Sequence, residues 1–457
     1  MKHPKTAALT LRSDLHVTHN PSGETRVVSV QDVMSNPPPL PAEVQSTQTH
    51  TDRFLDELSA ALARLDPEGL LRRLKLVSSA GPVVTTEDGQ VLLNFTSNSY
   101  LGLNEHPAMK AAAVSAVNEL GTGAGASLLV SGRLPIHARA ERIFAEFKHA
   151  QAALLLPSGY TANLAALTAL AGPGDLICLD KLCHASLIDA ARASGAEVRT
   201  YPHLKTDKLE RLLQKHESST ACGLADLTTN EDQTRAPRRF IVTDSVFSMD
   251  GDTADLPALC GLAEQYNAVM VVDEAHATGL LGETGAGLCE AQGVTGRIHV
   301  TISTASKALG SLGGIITADQ PIIDTIVNLA RPLIYTTAIP PAQAAVMEQS
   351  VKLIQEEPQL RHRVRELTIR LREGLKSQCW QLVPQGKYIT PIVPLIVGEA
   401  KDAVALAEHL YTHSILAAPI RPPTVAPGSA RVRLSLRADM TEAHVDRVLD
   451  ATSRFNR

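Results

Sequence analysis

The stretch AVMVVDEAHATGLLG (268–282) decides the fold. Its first five residues are apolar at consecutive rather than alternate positions, the mark of a short strand covered on both faces. The run stops at Asp273, and His276 stands three residues on, ahead of two glycines. The same design recurs outward along the chain: AALLLP (152–157), DLICLD (175–180), EVRTYP (197–202) and RRFIVTD (238–244) before it, HVTIST (299–304) after it. Helical patterns separate these runs. Strands alternating with helices predict βαβ units, hence a mostly parallel sheet in a large α/β/α sandwich domain over 96–340. Beyond 340 the pattern changes to a long amphipathic helix, short strands such as PIVPLIV and RVRLSL, and a closing helix. This predicts a smaller C-terminal α+β domain over 341–457.

Length agrees with that division, since 457 residues with 44% hydrophobic content exceed what one core of roughly 250–300 residues organises. Residues 1–50 are polar and proline-punctuated, with PPPLP at 37–41, and are expected to be a disordered tail. Acidic residues are absent before Asp14, which leaves organellar targeting open, although no Arg-rich amphipathic helix accompanies it. Phe54, Leu55, Leu58, Leu62 and Leu65 recur at helical spacing, and a second short helix is expected at Leu70–Arg73. With the strand near 91, these make an N-terminal arm over 51–95. The segment 217–237 breaks the rhythm and reads as a surface loop insertion.

The formal charge of −5 is spread without basic blocks, so neither nucleic acid nor an anionic membrane is an expected partner. Six separated cysteines, none in a CxxC pair, suggest no metal centre and fit a reducing, cytoplasmic setting. No window reaches the ~20 apolar residues of a spanning helix.

Ligands of open α/β sheets bind beyond the carboxyl ends of the strands. Here those ends carry Ser158 and Gly159, Asp180 and His184, Thr243, Asp244 and Ser248, Asp273 and His276, and Thr304 and Lys307. Any one alone reads as a helix cap or a solvated charge. Together they are the groups that pyridoxal 5′-phosphate (PLP) needs. Lys307 offers an amine for a Schiff base with the aldehyde, and Asp273 a carboxylate to keep the ring nitrogen protonated. His276 can donate to the phenolate oxygen, and His184 is flat enough to cover the ring. The phosphate calls for the backbone at a Ser-Gly helix start, with Ser248 and Thr304.

SNSYLGL (97–103), SGYTAN (158–163), HASLID (184–189), TDSVFSMDGD (243–252), VDEAHATGLLG (272–282), TASKALGSLGG (304–314) and ARVRLSL (430–436) resemble, in order and spacing, the α-oxoamine synthases. These are PLP enzymes of transferase fold type I that join an amino acid to an acyl-CoA thioester with loss of CO2. The resemblance runs over roughly 52–456. It implies Lys307 as the Schiff-base lysine, phosphate contacts at Ser158, Gly159, Tyr160 and Thr304, and ring contacts from His184, Ser248, Asp273 and His276. It implies a homodimer, with Thr336 reaching the phosphate of the partner's cofactor. Asn98 would line the cleft, and Arg433 would hold the amino-acid carboxylate, although Arg431 on the same strand leaves that choice open.

Within the family, IRPPTV (420–425) and LLRRL (70–74) most resemble the branch acting on an ω-carboxylated acyl chain such as pimeloyl, with Arg72, Arg421 and Thr424 in the substrate pocket. A cation at the far end of such a chain is what Arg72 would supply. Leu128, Cys183 and Ser99 depart from common family residues, so another acyl chain with glycine, serine or alanine stays open. GTGAGA (121–126) follows a helical run rather than a strand and so does not read as a dinucleotide loop. A non-catalytic scaffold of the same fold would have no need of Lys307, which is present.

Overall fold

A computed structural model describes residues 15–19, 25–29, 51–223 and 236–455. By internal contact the chain divides into Met1–Arg64 and Leu65–Arg457.

In the first unit, β1 (Leu15–His19) pairs antiparallel with β2 (Thr25–Ser29), Leu15 lying opposite Ser29. The disordered tail expected over 1–50 is corrected to that extent. Val17, Thr18, Val27 and Val28 are strand formers on either side of the turn-forming sequence NPSG. The rest of 1–50 lies outside the described residues. Helix α1 (Thr51–Leu65) follows, at the place its apolar spacing predicts.

The second unit opens with a stop signal. Gly69 takes a left-handed φ of 65°, and the amides of Leu70 and Leu71 both donate to the Leu65 carbonyl. Residues 70–76 are then irregular, so the short helix expected at Leu70–Arg73 is absent. The Arg421 guanidinium binds the carbonyls of Gly69 and Leu71, which a helix would have used internally. Strands β3 (Val83–Thr85) and β4 (Val91–Asn94) pair antiparallel, and β13 (Ile415–Leu416) joins β4 in parallel.

The main sheet contains β5 (Ala152–Leu156), β6 (Leu176–Asp180), β7 (Glu197–Tyr201), β8 (Arg239–Asp244), β9 (Ala268–Asp273), β10 (Val300–Thr304) and β11 (Gly314–Ala318). They lie in the order β5-β11-β10-β9-β8-β6-β7, with β11 alone antiparallel to its neighbours. Alternate residues face opposite ways. Cys178, Ile241, Met270 and Val272 enter one core, while Ile177, Leu179, Phe240, Val242 and Val271 enter the other. Burial on both faces is why these strands read as unbroken apolar runs.

Helix α6 (Thr206–Gly223) carries the chain through the first part of the loop expected over 217–237. Once Leu209 and Leu213 are buried, each added residue needs only one more hydrogen bond, so the helix outruns its apolar stripe. Residues 224–235 lie outside the described residues. Near the C-terminus, β15 (Ala430–Ser435) is sandwiched antiparallel between β12 (Ile392–Gly398) and β14 (Ala418–Ile420). The helix Pro341–Glu356, placed in the smaller domain from sequence, packs instead on Pro107–Leu120 and Pro135–Phe147, and contacts draw no boundary at 340. The change of pattern marked where sheet gives way to helix rather than where one core ends.

Candidate active site

Five strand ends converge. Helix α4 (Gly159–Leu170) starts three residues after β5, capped by the Ser158 hydroxyl, which accepts from the Thr161 amide at 3.1 Å. A Cβ on Gly159 would lie 3.2 Å from the Thr304 Cβ, so glycine lets the helix start press against the end of β10. Thr304 bonds Ser306 at 2.9 Å and the Gly313 carbonyl at 3.0 Å, closing the turn on which Lys307 stands. A Cβ on Gly314 would meet the Ser158 carbonyl at 2.1 Å, so a side chain there would push the lysine turn off the helix start. Free amides at α4, its dipole, and the hydroxyls of Ser158 and Thr304 make a cradle for a phosphate.

Asp273 ends β9 and is buried. Its Oδ2 accepts from Asn163 Nδ2 at 2.7 Å and its Oδ1 from the Ala275 amide at 2.8 Å. The same Asn163 amide nitrogen reaches Ser186 Oγ at 2.8 Å, so a residue on α4 orients the carboxylate. His184 caps helix α5 (Ala185–Ala193) through Nδ1, and its backbone amide donates to Asp244 Oδ2 at 2.8 Å. Burial lowers the His184 pKa, with Lys307 acting the same way and Asp273 opposing.

His276 is buried, its Nδ1 2.8 Å from the Tyr100 hydroxyl. Burial holds its pKa well below the usual imidazole value, helped by Lys307 and Arg433. The ring is therefore neutral and serves as a hydrogen-bonding group. Arg433 Nη2 donates to that same Tyr100 hydroxyl and to Asn98 Oδ1, both at 2.8 Å. Its Nε is buried with no partner, and among the described residues no carboxylate pairs with the guanidinium. Arg431, by contrast, is bound to Asp250, with its Nε on the Ser429 carbonyl. The two arginines thus part company: Arg433 is the one left with its charge uncompensated.

The half-buried Lys307 amine has its pKa lowered by burial, with Arg433 pushing the same way and Asp273 and Asp244 opposing. Asp244, at the end of β8, is pushed well above the usual carboxylate range by burial and by Asp273. Gly159 and Tyr160 open α4, but the Tyr160 hydroxyl turns to Asp189 at 2.5 Å. Ser248 lies half-buried on the turn between Phe247 and Asp252. Thr336 is half-buried on a segment that pairs with the chain's own Ser127 through Thr337. Arg72, Arg421 and Thr424 form a separate group: Arg72 Nη2 donates to the Pro422 carbonyl at 3.0 Å, and the Thr424 amide to the Arg421 carbonyl at 3.0 Å.

The profile of the family Aminotransferase class I and II matches residues 90–451. The chain belongs to the class I and II aminotransferases. The 8-amino-7-oxononanoate synthase of Trichlorobacter lovleyi is 41% identical over 405 residues, 88% of this chain and 98% of that protein. The synthase of the same name from Stutzerimonas stutzeri is 41% identical over 397 residues, 86% of this chain and 95% of that one. Among solved structures, a serine palmitoyltransferase from S. paucimobilis with bound PLP and myriocin has a TM-score of 0.79 at 26% identity. It covers 89% of this chain and 98% of its own. An 8-amino-7-oxononanoate synthase from Francisella tularensis has a TM-score of 0.65 at 26% identity, covering 79% and 97%. The fold type I architecture and the PLP cofactor expected from the strand ends are both borne out.

The residues fit that cofactor. An amine of lowered pKa, a buried carboxylate set by two donors, a neutral histidine and a phosphate cradle stand at the ends of β5, β9 and β10. Sequence reasoning passed over Asn163 and Tyr100 as working parts, and it noted Asp244 at its strand end without giving it a role of its own. Asn163 lies within SGYTAN and Tyr100 within SNSYLGL, so both were in quoted motifs, but their partners stand 110 and 176 residues away.

Proposed function

We propose that this enzyme condenses L-alanine with pimeloyl-CoA to give 8-amino-7-oxononanoate, CoA and CO2. Bound PLP supplies an electron sink for the pair left on the amino-acid Cα when its proton departs. Lys307 holds the cofactor and, once displaced, takes that proton; its lowered pKa supplies a neutral amine for the task. Asp273, aligned by Asn163, keeps the ring nitrogen protonated. His276, Ser248 and His184 orient the ring, and Ser158, Gly159, Tyr160 and Thr304 receive the phosphate. Arg433 holds the amino-acid carboxylate beside Asn98 until it leaves as CO2. A new bond joins the amino-acid Cα to the thioester carbonyl carbon, and CoA departs as the thiol.

The observation that carries the acyl assignment is the pair Arg72 and Arg421. Among the described residues their hydrogen-bond partners are backbone carbonyls alone, and Arg72 adds to the lowering of the Arg421 pKa that burial begins. Two neighbouring guanidiniums without a counter-charge among the described residues suit the far carboxylate of a dicarboxylic chain, with Thr424 beside them. The relatives named 8-amino-7-oxononanoate synthase support the same reading. We infer a homodimer as the working unit, with Thr336 serving the partner's phosphate. The large exposed side chains Val130 and Tyr335, 80% and 71% accessible in one chain, flank the paired Ser127 and Thr337 and support that inference.

The test is CoA release by the PLP-loaded protein with pimeloyl-CoA against alanine, glycine and serine, with palmitoyl-CoA as control. Turnover with pimeloyl-CoA and alanine is expected, and Arg72→Ala should raise KM for pimeloyl-CoA while leaving KM for alanine in place. Preference for palmitoyl-CoA, or an equal effect of Arg72→Ala on both acyl chains, would overturn the acyl assignment.

A further inference from the structure

His203 stands between the turn that carries His184 and the turn that carries Ser248, and it has no part in the reaction proposed for the site. It follows β7, with Nδ1 2.9 Å from Asp180 Oδ1 and Nε2 2.9 Å from Asp252 Oδ2. Asp180 is buried at the end of β6 and also accepts the amides of Leu182 and Leu204, so it shapes the turn leading to His184. Asp252 closes the other turn, its carbonyl accepting from the Phe247 amide at 3.0 Å beside the bridge of Val246 with Thr253. The imidazole ring lies edge-on to Phe247, with centroids 4.4 Å apart.

A neutral imidazole donates from one nitrogen only, whereas here both nitrogens face a carboxylate. The ring must be an imidazolium to satisfy them together. Burial opposes that charge, but the hydrogen bonds and charges of Asp180 and Asp252 outweigh it and push the pKa to about 9. Asp255, across a small cavity beside Asp180, is committed to capping the Ala258 amide, and Asp250 to Arg431.

We propose that His203 is a positioning residue of the cofactor site, a cationic brace that holds the His184 turn at a fixed spacing from the Ser248 turn. The inference rests on the assignment of those two residues to PLP and not on the identity of either substrate. Its readout is therefore PLP binding, which proceeds without an acyl thioester.

The experiment measures the PLP dissociation constant of the holoenzyme by absorbance from neutral pH to above pH 10, for the wild type, His203→Gln and Asp252→Asn. A glutamine carries its donors on one nitrogen and cannot span both carboxylates, so PLP affinity near neutral pH should fall about tenfold. The wild type should also show a loss of affinity with a midpoint near pH 9 that both variants lack. Unchanged PLP affinity and an unchanged pH profile in a folded variant would overturn the proposal, even if its melting temperature fell. Should His203→Gln fail to fold, Asp252→Asn alone decides by the same two readouts.

Discussion

Replacing Arg433 isolates the amino-acid site from everything else in the cleft. Arg433 is 8% exposed, its guanidinium held by Asn98 and Tyr100 through one nitrogen, with Nε unpartnered. A carboxylate received by the remaining donors makes two charge-assisted bonds, each contributing about 1.5–3 kcal/mol. Together they amount to roughly 3–6 kcal/mol, or about 10²–10⁴ in kcat/KM for the amino acid. Arg433→Lys keeps the charge and loses the fork, so it should fall at the lower end, about 100-fold. Arg433→Ala should fall at the upper end, with KM for the acyl thioester unchanged in both. The assay is initial-rate CoA release as a function of alanine, paired with Arg431→Ala as control. Because Arg431 is bound to Asp250, that control should lower the melting temperature and leave the alanine KM nearly in place. Arg433 variants that keep their alanine kcat/KM to within about threefold would refute the assignment, since that corresponds to less than one charge-assisted bond.

Lys307→Ala should leave a folded protein with no measurable turnover, and normal CoA release from it would sink the mechanism. Lys148 and Glu274, 3% and 0% exposed, form a buried pair beneath the turn that carries Asp273 and His276. Lys148→Met should therefore destabilise by about 3–5 kcal/mol in urea titration, and a loss below about 1 kcal/mol would show the pair to be dispensable. His276 stays neutral in the fold while its unfolded form titrates near the ordinary imidazole value of 6.5. Its contribution is neutral above that pH, and stability drops as the pH falls below it, because the unfolded chain then binds the extra proton. Thermal melts from pH 8 to 5 should show this slope, and His276→Gln should flatten it; an identical slope in the variant would refute the cause.

The sheet and its strand ends were legible because parallel strands buried on both faces leave apolar runs with abrupt polar stops, as at Asp273 and Thr304. Lys307, His184 and His276 were legible for the same reason, each lying within a few residues of such a stop. Asn163 was not, since its role exists only when α4 folds over β9 and a residue 110 positions away becomes a neighbour. Leu70–Arg73 looked helical because spacing cannot reveal that the Gly69 carbonyl is taken by Arg421. The strands at Leu15–His19 and Thr25–Ser29 were hidden by the polar composition around them. Choosing between Arg431 and Arg433 required Asp250, which sequence places more than 180 residues away.

The single reversed strand has a consequence for how the site tolerates change in length. Between Thr304 and Gly314, which face each other across β10 and β11, only the nine residues 305–313 separate the two strands, and Lys307 is the third of them. An insertion there must either shift β11 by one position, turning its inward side chains outward, or bulge the turn and carry the amine with it. The crossover connections elsewhere in the sheet end on helices that can slide or lengthen, as α6 does, without disturbing a strand. Deletion and insertion scanning should therefore find the reversal 305–313 intolerant of a single added residue, and the far end of α6 indifferent to several. The lysine is thus gauged by the pitch of the sheet itself, and the length of this one connection is fixed together with the placement of the amine.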